Sequence, residues 1–150
     1  SLYDTYKQTR CKEVIKFAVW RDPVERLVSC YKYFCLEKWY RHYFHFLDLY
    51  REPTFDHFMK FVRFELDKKC IILQDEHIRR QSDFYSPDDV DFIVPIKKLD
   101  TFLQKYNVPI QYGLKNSTHV DFKLDNEEYI NEIRELYKAD YEILNSTKYI

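Results

Sequence analysis

One stretch near the start of the chain constrains the fold more than any other. It begins with Val14 to Trp20, a run of apolar, β-branched and aromatic residues that predicts a buried strand. Asp22 then offers an N-cap, Pro23 suits the first position of a helix, and Glu25 stands where it would close a capping box. The sequence therefore predicts a strand that passes through a single residue, Arg21, into a well-defined helix.

A strand that ends at an arginine in front of a helix predicts a site for an anion. The first amide groups of a helix lack partners inside the helix and carry the positive end of its dipole. Arg21 adds a planar guanidinium that matches phosphate oxygens, and Ser29, eight positions later on the same helix, can add a hydroxyl. The alternative for Arg21 is a surface side chain that pairs with Asp22 or Glu25.

The same segment resembles the motif with which sulfotransferases hold the 3′-phosphate of 3′-phosphoadenosine 5′-phosphosulfate (PAPS). The resemblance is strongest to carbohydrate sulfotransferases of the chondroitin, dermatan and heparan 2-O type. In that family an arginine and a serine eight positions later bind the 3′-phosphate, and those positions are Arg21 and Ser29 here. Four further segments resemble the family's histidine-centred segment, the strand after it, its terminal loop and its last helix: 75–84, 91–99, 116–119 and 136–141.

The resemblance implies an α/β fold of the P-loop sulfotransferase type, in which helices flank a parallel sheet. Strands separated by helical segments favour the same fold class. The family also needs a phosphate-cradling loop upstream, which depends on glycine and small residues, whereas the single glycine of this sequence is Gly113. We therefore expect residues 1–150 to be one sulfotransferase-like domain, the C-terminal and helix-rich part of a longer polypeptide. The alternative is a protein that has lost the family's first half.

The function that the resemblance implies is transfer of a sulfuryl group from PAPS to a hydroxyl of a carbohydrate acceptor, without a metal. The resemblance implies that Arg21, Ser29 and Thr118 bind the nucleotide. It places Thr118 and His119 in a loop that approaches the nucleotide. Relatives carry their catalytic base in a stretch that this chain does not contain, so His77 is the best remaining candidate for that role. The alternative is an inactive sulfotransferase-like module that binds a nucleotide or a glycan.

Two other kinds of function fit the sequence less well. Zinc-ligand residue types occur at Cys30, Cys35, His42 and His45, but a continuous amphipathic helix would keep them from converging on one ion. Nucleic-acid binding is disfavoured because the net charge is −1 and no basic stripe accompanies the aromatic residues. Among the small basic clusters, the pair at 79–80 is the best candidate for a ligand role, because it lies beside His77.

The cellular compartment stays open at the level of sequence. No apolar run approaches the ~18 residues of a membrane span, and the start of the chain lacks a signal-peptide pattern. The four cysteines are too few and too scattered for a disulfide scaffold. A cytoplasmic microbial protein is the favoured interpretation, and the glycosylation sequons at Asn116 and Asn145 would suit a Golgi-lumen enzyme instead.

Hydrophobic periodicity predicts the remaining elements. The helix after Asp22 has one buried stripe and continues to about Leu49, and Thr54 caps a second helix. The other predicted elements are a short strand at Cys70 to Leu73, a buried strand at Asp91 to Ile96, a helix at Lys98 to Tyr106, and a last helix that starts at Leu124 and Asp125 with a capping box to Glu128.

Overall fold

Two parallel strands form the sheet that positions the rest of the chain. The computed structural model describes residues 14–37, 53–109 and 120–150. Strand β1 (Phe17–Trp20) pairs with strand β2 (Phe92–Pro95), with Phe17 opposite Phe92 and Trp20 opposite Pro95. Ile93 also forms a parallel bridge with Tyr149, so the last residues of the chain add a third segment to the sheet.

Helices make up most of the described residues. The α-helices are α1 (Pro23–Tyr31), α2 (Phe55–Leu66), α3 (Leu99–Lys105), α4 (Glu127–Leu136) and α5 (Lys138–Glu142). Helix α1 continues directly into a π-helical segment, Lys32–Leu36. Short 3₁₀ segments connect the other elements: Ile71–Leu73, Gln81–Asp83, Pro87–Asp89, Ile96–Lys98 and Ile143–Asn145.

The core covers both faces of the sheet. Ile93 and Val94 are fully buried neighbours on β2, and neighbouring strand residues point to opposite faces. Ile93 packs against Trp20 of β1 and against Ile143 of the last 3₁₀ segment, while Val94 packs against residues of α3. The largest apolar cluster lies between α1, α2 and α4, with seven members that are completely buried: Leu27, Phe58, Met59, Val62, Ile78, Ile133 and Tyr137. A parallel sheet flanked by helices confirms the predicted α/β class.

The two predicted strands that form the sheet are correct in place and direction, but the structure shortens both. Strand β1 starts at Phe17 rather than Val14, because pairing with β2 begins only there and both Val14 and Ile15 are exposed. Strand β2 covers four residues, Phe92–Pro95, inside the predicted range 91–96. Strand ends are decided by the partner strand, which local sequence does not specify.

Two of the remaining expectations are confirmed. Thr54 caps α2, its hydroxyl accepting a hydrogen bond from the backbone N–H of His57. Helix α3 ends before Asn107, which adopts a positive φ of 55°, a conformation that asparagine tolerates at helix ends.

Two other expectations are wrong. The apolar residues after Cys70 form a 3₁₀ turn, Ile71–Leu73, and stay exposed, because no described strand pairs with them. The last helix is capped by Asn126 rather than Asp125, since the Asn126 side chain accepts hydrogen bonds from the amides of Glu128 and Tyr129. That helix also ends at Leu136, and α5 follows it as a separate short helix.

Candidate functional site at the end of strand β1

The start of α1 is capped by Asp22, as its sequence predicts. Asp22 Oδ1 accepts hydrogen bonds from the amides of Val24 and Glu25, at 2.8 and 3.2 Å. The predicted capping box is wrong, however, because the Glu25 carboxylate turns away to Lys97, whose Nζ lies 3.2 Å from Glu25 Oε1. The helix start is therefore fixed by Asp22 alone.

This cap changes how an anion could bind at the junction between β1 and α1, residues 20–23. Asp22 already occupies the amides of Val24 and Glu25, the amide of Arg26 donates to the Asp22 carbonyl at 2.9 Å, and Pro23 has no N–H. The expectation that free helix amides hold the anion is wrong, since the first-turn donors are satisfied inside the chain. Side chains around the junction must supply the donors instead.

Arg21 is held through its backbone and leaves its guanidinium available. Its N–H donates to Gln81 Oε1 at 2.9 Å, and its carbonyl accepts from Gln81 Nε2 at 2.8 Å. Asp22 caps the helix and Glu25 pairs with Lys97, so neither takes Arg21 as a partner. In the described part of the chain no carboxylate forms an ion pair with Arg21, a half-buried residue. The surface ion pair that was the alternative for Arg21 does not form.

A cleft of about 700 Å³ lies along the outer side of β1 and the first two turns of α1. It brings together three of the predicted site residues, Arg21, Ser29 and His77. Thr118, together with His119, lies outside the described residues. The volume is in the usual range of small-molecule sites. The lining consists of Phe17, Ala18, Val19, Arg21, Arg26, Ser29, Cys30, Glu76, His77, Gln81, Phe84, Tyr85 and Val90.

His77 forms a pair with Asp75, a residue that sequence reasoning missed. Asp75 Oδ1 lies 3.0 Å from His77 Nδ1 and also accepts the backbone N–H of His77 at 2.8 Å. The side-chain hydrogen bond with Asp75 raises the pKa of His77 above 6.5, against the opposing effect of partial burial. Burial pushes the pKa of Asp75 upward, but its hydrogen bonds with His77 outweigh that effect and lower the pKa. The Asp-x-His spacing in the sequence is the signal from which this pair could have been predicted.

The pair also makes stability depend on pH. Because the pKa of His77 is higher in the folded chain than its ordinary value of 6.5, the pairing stabilises the fold below that value. This contribution is lost as the pH rises through the raised pKa. The lowered pKa of Asp75 acts at acidic pH. The stability that its hydrogen bonds contribute is lost as the pH falls through the pKa of Asp75 in the folded chain.

The loop that carries His77 is attached to α1 by Arg26. The Arg26 guanidinium donates to the carbonyls of Arg79 at 2.7 Å and Glu76 at 3.0 Å. From the other side, the buried Tyr137 hydroxyl donates to the carbonyl of Ile78. Arg26 therefore places the loop against the cleft instead of pairing within its own helix.

The basic pair at 79–80 has a structural role. Arg79 donates to the carbonyls of Ile72 and Gln74, at 3.2 and 2.9 Å, and stacks over the Phe84 ring. Arg80 donates to the carbonyl of Leu136 at 2.7 Å. Because these guanidinium groups hold backbone carbonyls, the predicted ligand role of this pair is not supported.

Two further polar groups of the cleft differ in what they can do. Burial raises the pKa of the Cys30 thiol to about 11, more than Arg26 and Arg21 lower it, so this cysteine stays protonated and is a poor nucleophile at neutral pH. The Tyr85 hydroxyl is buried without a hydrogen-bond partner among the described residues. A buried hydroxyl in that state beside a cleft is suited to a ligand atom.

The zinc alternative involves only two described residues. Cys30 lies on α1 and Cys35 on the π-helical segment, neither of them in a disulfide, and His42 and His45 lie outside the described residues. Within residues 14–37, 53–109 and 120–150, no three potential metal ligands come together. In the same ranges, none of the helices has the length and apolar character that crossing a membrane requires.

Comparison with known families gives a match over most of the chain. The family model described as "Sulfotransferase family" matches residues 1–112, which include the strand, the junction and His77. The chain belongs to the sulfotransferase family. Members of this family transfer sulfuryl groups to an acceptor and generally use PAPS as the sulfate donor. Searches of curated proteins and of solved structures gave no match to this sulfotransferase.

Proposed function

We propose that this sulfotransferase holds the 3′-phosphate of PAPS with Arg21 and Ser29 and transfers the sulfuryl group to a carbohydrate hydroxyl. The observation that carries the proposal is the half-buried Arg21, which lines one cleft with Ser29 and whose guanidinium has no acidic partner in the described residues. A guanidinium in that position suits a phosphate, because its paired donors match two phosphate oxygens. The sequence resemblance supplies the same two residues for the same group.

His77 is the proposed base. In the reaction the acceptor oxygen bonds to sulfur, the bond between sulfur and the 5′-phosphate oxygen breaks, and the acceptor proton passes to His77 Nε2. Asp75 engages Nδ1, so Nε2 is the nitrogen left to take the proton. Arg21 and Ser29 do not contact the reacting atoms in this proposal. They fix the opposite end of the nucleotide, which determines where the sulfur lies.

The proposal is tested by sulfuryl transfer from radiolabelled PAPS to desulfated heparan, chondroitin and dermatan chains. His57→Gln is a matched control, because His57 caps α2 and does not line the cleft. We expect the wild type and His57→Gln to label at least one polysaccharide, and His77→Gln to be slower by at least ~100-fold.

Two results would contradict parts of this proposal. Equal rates for His77→Gln and the wild type would remove His77 from the role of base. Binding of the nucleotide without transfer to any of the polysaccharides would favour the alternative of an inactive binding module.

A further inference from the structure

We infer that Gln81 and Asp140 are positioning residues that hold the backbone of Arg21 where its side chain can bind phosphate. The inference rests on the proposed function of Arg21 and adds two residues to it. Neither residue is proposed to contact the nucleotide phosphate. Both act through Arg21, and Asp140 acts through Gln81.

Asp140 is a carboxylate with no exposed surface, and backbone and amide N–H groups surround it. Oδ2 accepts from the Gln81 backbone N–H at 3.0 Å and from Gln81 Nε2 at 3.3 Å, and Oδ1 accepts from the Ser82 N–H at 2.9 Å. A carboxylate can only accept hydrogen bonds, so it determines which end of the Gln81 amide faces it. The Gln81 nitrogen must point to Asp140, and the oxygen must point to the N–H of Arg21.

Gln81 then bonds to Arg21 as a neighbouring strand would. It accepts from the N–H of Arg21 and donates to the carbonyl of the same residue, so both backbone groups of Arg21 are occupied. Gln81 is itself 7% exposed, which removes water as a competitor for these bonds. The two hydrogen bonds extend the ordered backbone of β1 by one residue, and that residue carries the proposed phosphate-binding side chain.

Helix α5 also holds the residues on each side of Arg21. The Trp20 indole N–H donates to the Asp140 carbonyl at 2.9 Å, and the Tyr141 hydroxyl donates to Asp22 Oδ2 at 3.3 Å. Three consecutive residues at the end of β1 are therefore attached, directly or through Gln81, to residues 140–141. These two residues lie beyond the part of the chain that the family model matches. Helix α5 thus supports the proposed nucleotide site from behind, through the backbone and side chains of residues 20–22.

The chain offers a matched control for Gln81. Gln74 is also a buried glutamine, 5% exposed, and its Nε2 lies 3.4 Å from the carbonyls of Leu66 and Lys68. It does not line the cleft. Gln81→Met and Gln74→Met both replace an amide by an apolar side chain of similar length, so both lose buried hydrogen bonds. Only the first should affect Arg21.

Two measurements on the same samples test the inference. Amide hydrogen exchange reports whether the Arg21 N–H is still protected, and calorimetry gives the affinity ratio of 3′-phosphoadenosine 5′-phosphate to adenosine 5′-phosphate. In Gln81→Met we expect exchange at Arg21 to be faster by at least ~10-fold. We expect the preference for the 3′-phosphorylated nucleotide to fall by roughly 10- to 100-fold. Gln74→Met should leave both quantities at their wild-type values.

Unchanged exchange at Arg21 in Gln81→Met, or an unchanged nucleotide preference, would overturn the inference. A loss of preference in Gln74→Met as large as in Gln81→Met would also overturn it, because general destabilisation would then explain the effect. Failure of the proposed function is distinguishable from these results. In that case the wild type itself would not prefer the 3′-phosphorylated nucleotide, while the exchange rate would still decide whether Gln81 holds Arg21.

Discussion

The two parallel strands of this sulfotransferase end in junctions that share a topology and differ in chemistry. At the first junction, Trp20 to Pro23, β1 passes through Arg21 into α1, which Asp22 caps. At the second junction, Pro95 to Leu99, β2 passes through Lys97 and Lys98 into α3, which begins without a side-chain cap. Each junction places basic residues at the carboxyl end of a strand, where α/β proteins bind their ligands.

The difference lies in how the basic side chains are held. Arg21 is half-buried, and Gln81 fixes its backbone on both sides of the residue. The two lysines are exposed, and Lys97 is neutralised by Glu25, which belongs to the first turn of α1. A positive charge at a strand end therefore does not by itself make a site. The first junction is distinguished by a fixed backbone and by a guanidinium that no described carboxylate occupies.

The largest expected difference between the junctions concerns Asp140, the buried carboxylate that holds Gln81 at the first junction. Asp140→Ala removes the acceptor of the buried Gln81 amides and of the part-buried Ser82 N–H and should lower the free energy of unfolding by ~2–5 kcal/mol. Asp100→Ala, in the first turn of α3 at the second junction, changes an exposed residue and should cost less than ~0.5 kcal/mol. Urea denaturation measures both, and similar losses would contradict the comparison.

A smaller difference is expected for the helix caps. The Asp22 side chain accepts two amide hydrogen bonds at the start of α1, so Asp22→Ala should lower the free energy of unfolding by about 1 kcal/mol. Lys98 occupies the same position before α3 but makes no capping bond, so Lys98→Ala should stay within about 0.5 kcal/mol of the wild type. Thermal and chemical unfolding of the pair would check this, and equal effects would show that Asp22 does not act as a cap.

The smallest expected effect is a pH dependence of nucleotide binding in the cleft at the first junction, which His77 also lines. Because Asp75 raises the pKa of His77 above 6.5, the imidazolium charge persists to higher pH than in an ordinary histidine and is lost as the pH rises through the raised pKa. Affinity for 3′-phosphoadenosine 5′-phosphate should therefore fall about twofold to fivefold as the pH rises through the raised pKa of His77, above the phosphate's own pKa. Asp75→Asn should move the fall to lower pH, and His77→Gln should remove it. Calorimetry across this rise in pH would refute the assignment if His77→Gln titrated like the wild type.

Local signals were sufficient for the elements that frame the site. The apolar run before Arg21, the cap at Asp22 and the cap at Thr54 act within a few residues, so the sequence alone predicts a strand and two helix starts correctly. The choice of Arg21, Ser29 and His77 as site residues came instead from the family resemblance, and the structure places all three around one cleft.

The remaining features depend on residues that are far apart along the chain. Glu25 stands at a capping-box position, yet it pairs with Lys97, which is 72 residues away. The bond between Gln81 and Asp140 spans 59 residues, and nothing local marks Asp140 as buried. The run at Ile71–Leu73 has the composition of a strand, but a strand also needs a partner to pair with. Tertiary contacts decide all three cases.

The central claim is that Arg21, and not the lysines of the second junction, binds the 3′-phosphate. Calorimetric titration with 3′-phosphoadenosine 5′-phosphate and with adenosine 5′-phosphate tests it most directly, in the wild type, Arg21→Ala, Arg21→Lys and Lys98→Ala. We predict a preference for the 3′-phosphorylated nucleotide that Lys98→Ala retains and that Arg21→Ala weakens by at least ~1.5–3 kcal/mol. Arg21→Lys should also lose affinity, because an ammonium cannot make a two-pronged contact. Undiminished binding by Arg21→Ala would contradict the claim.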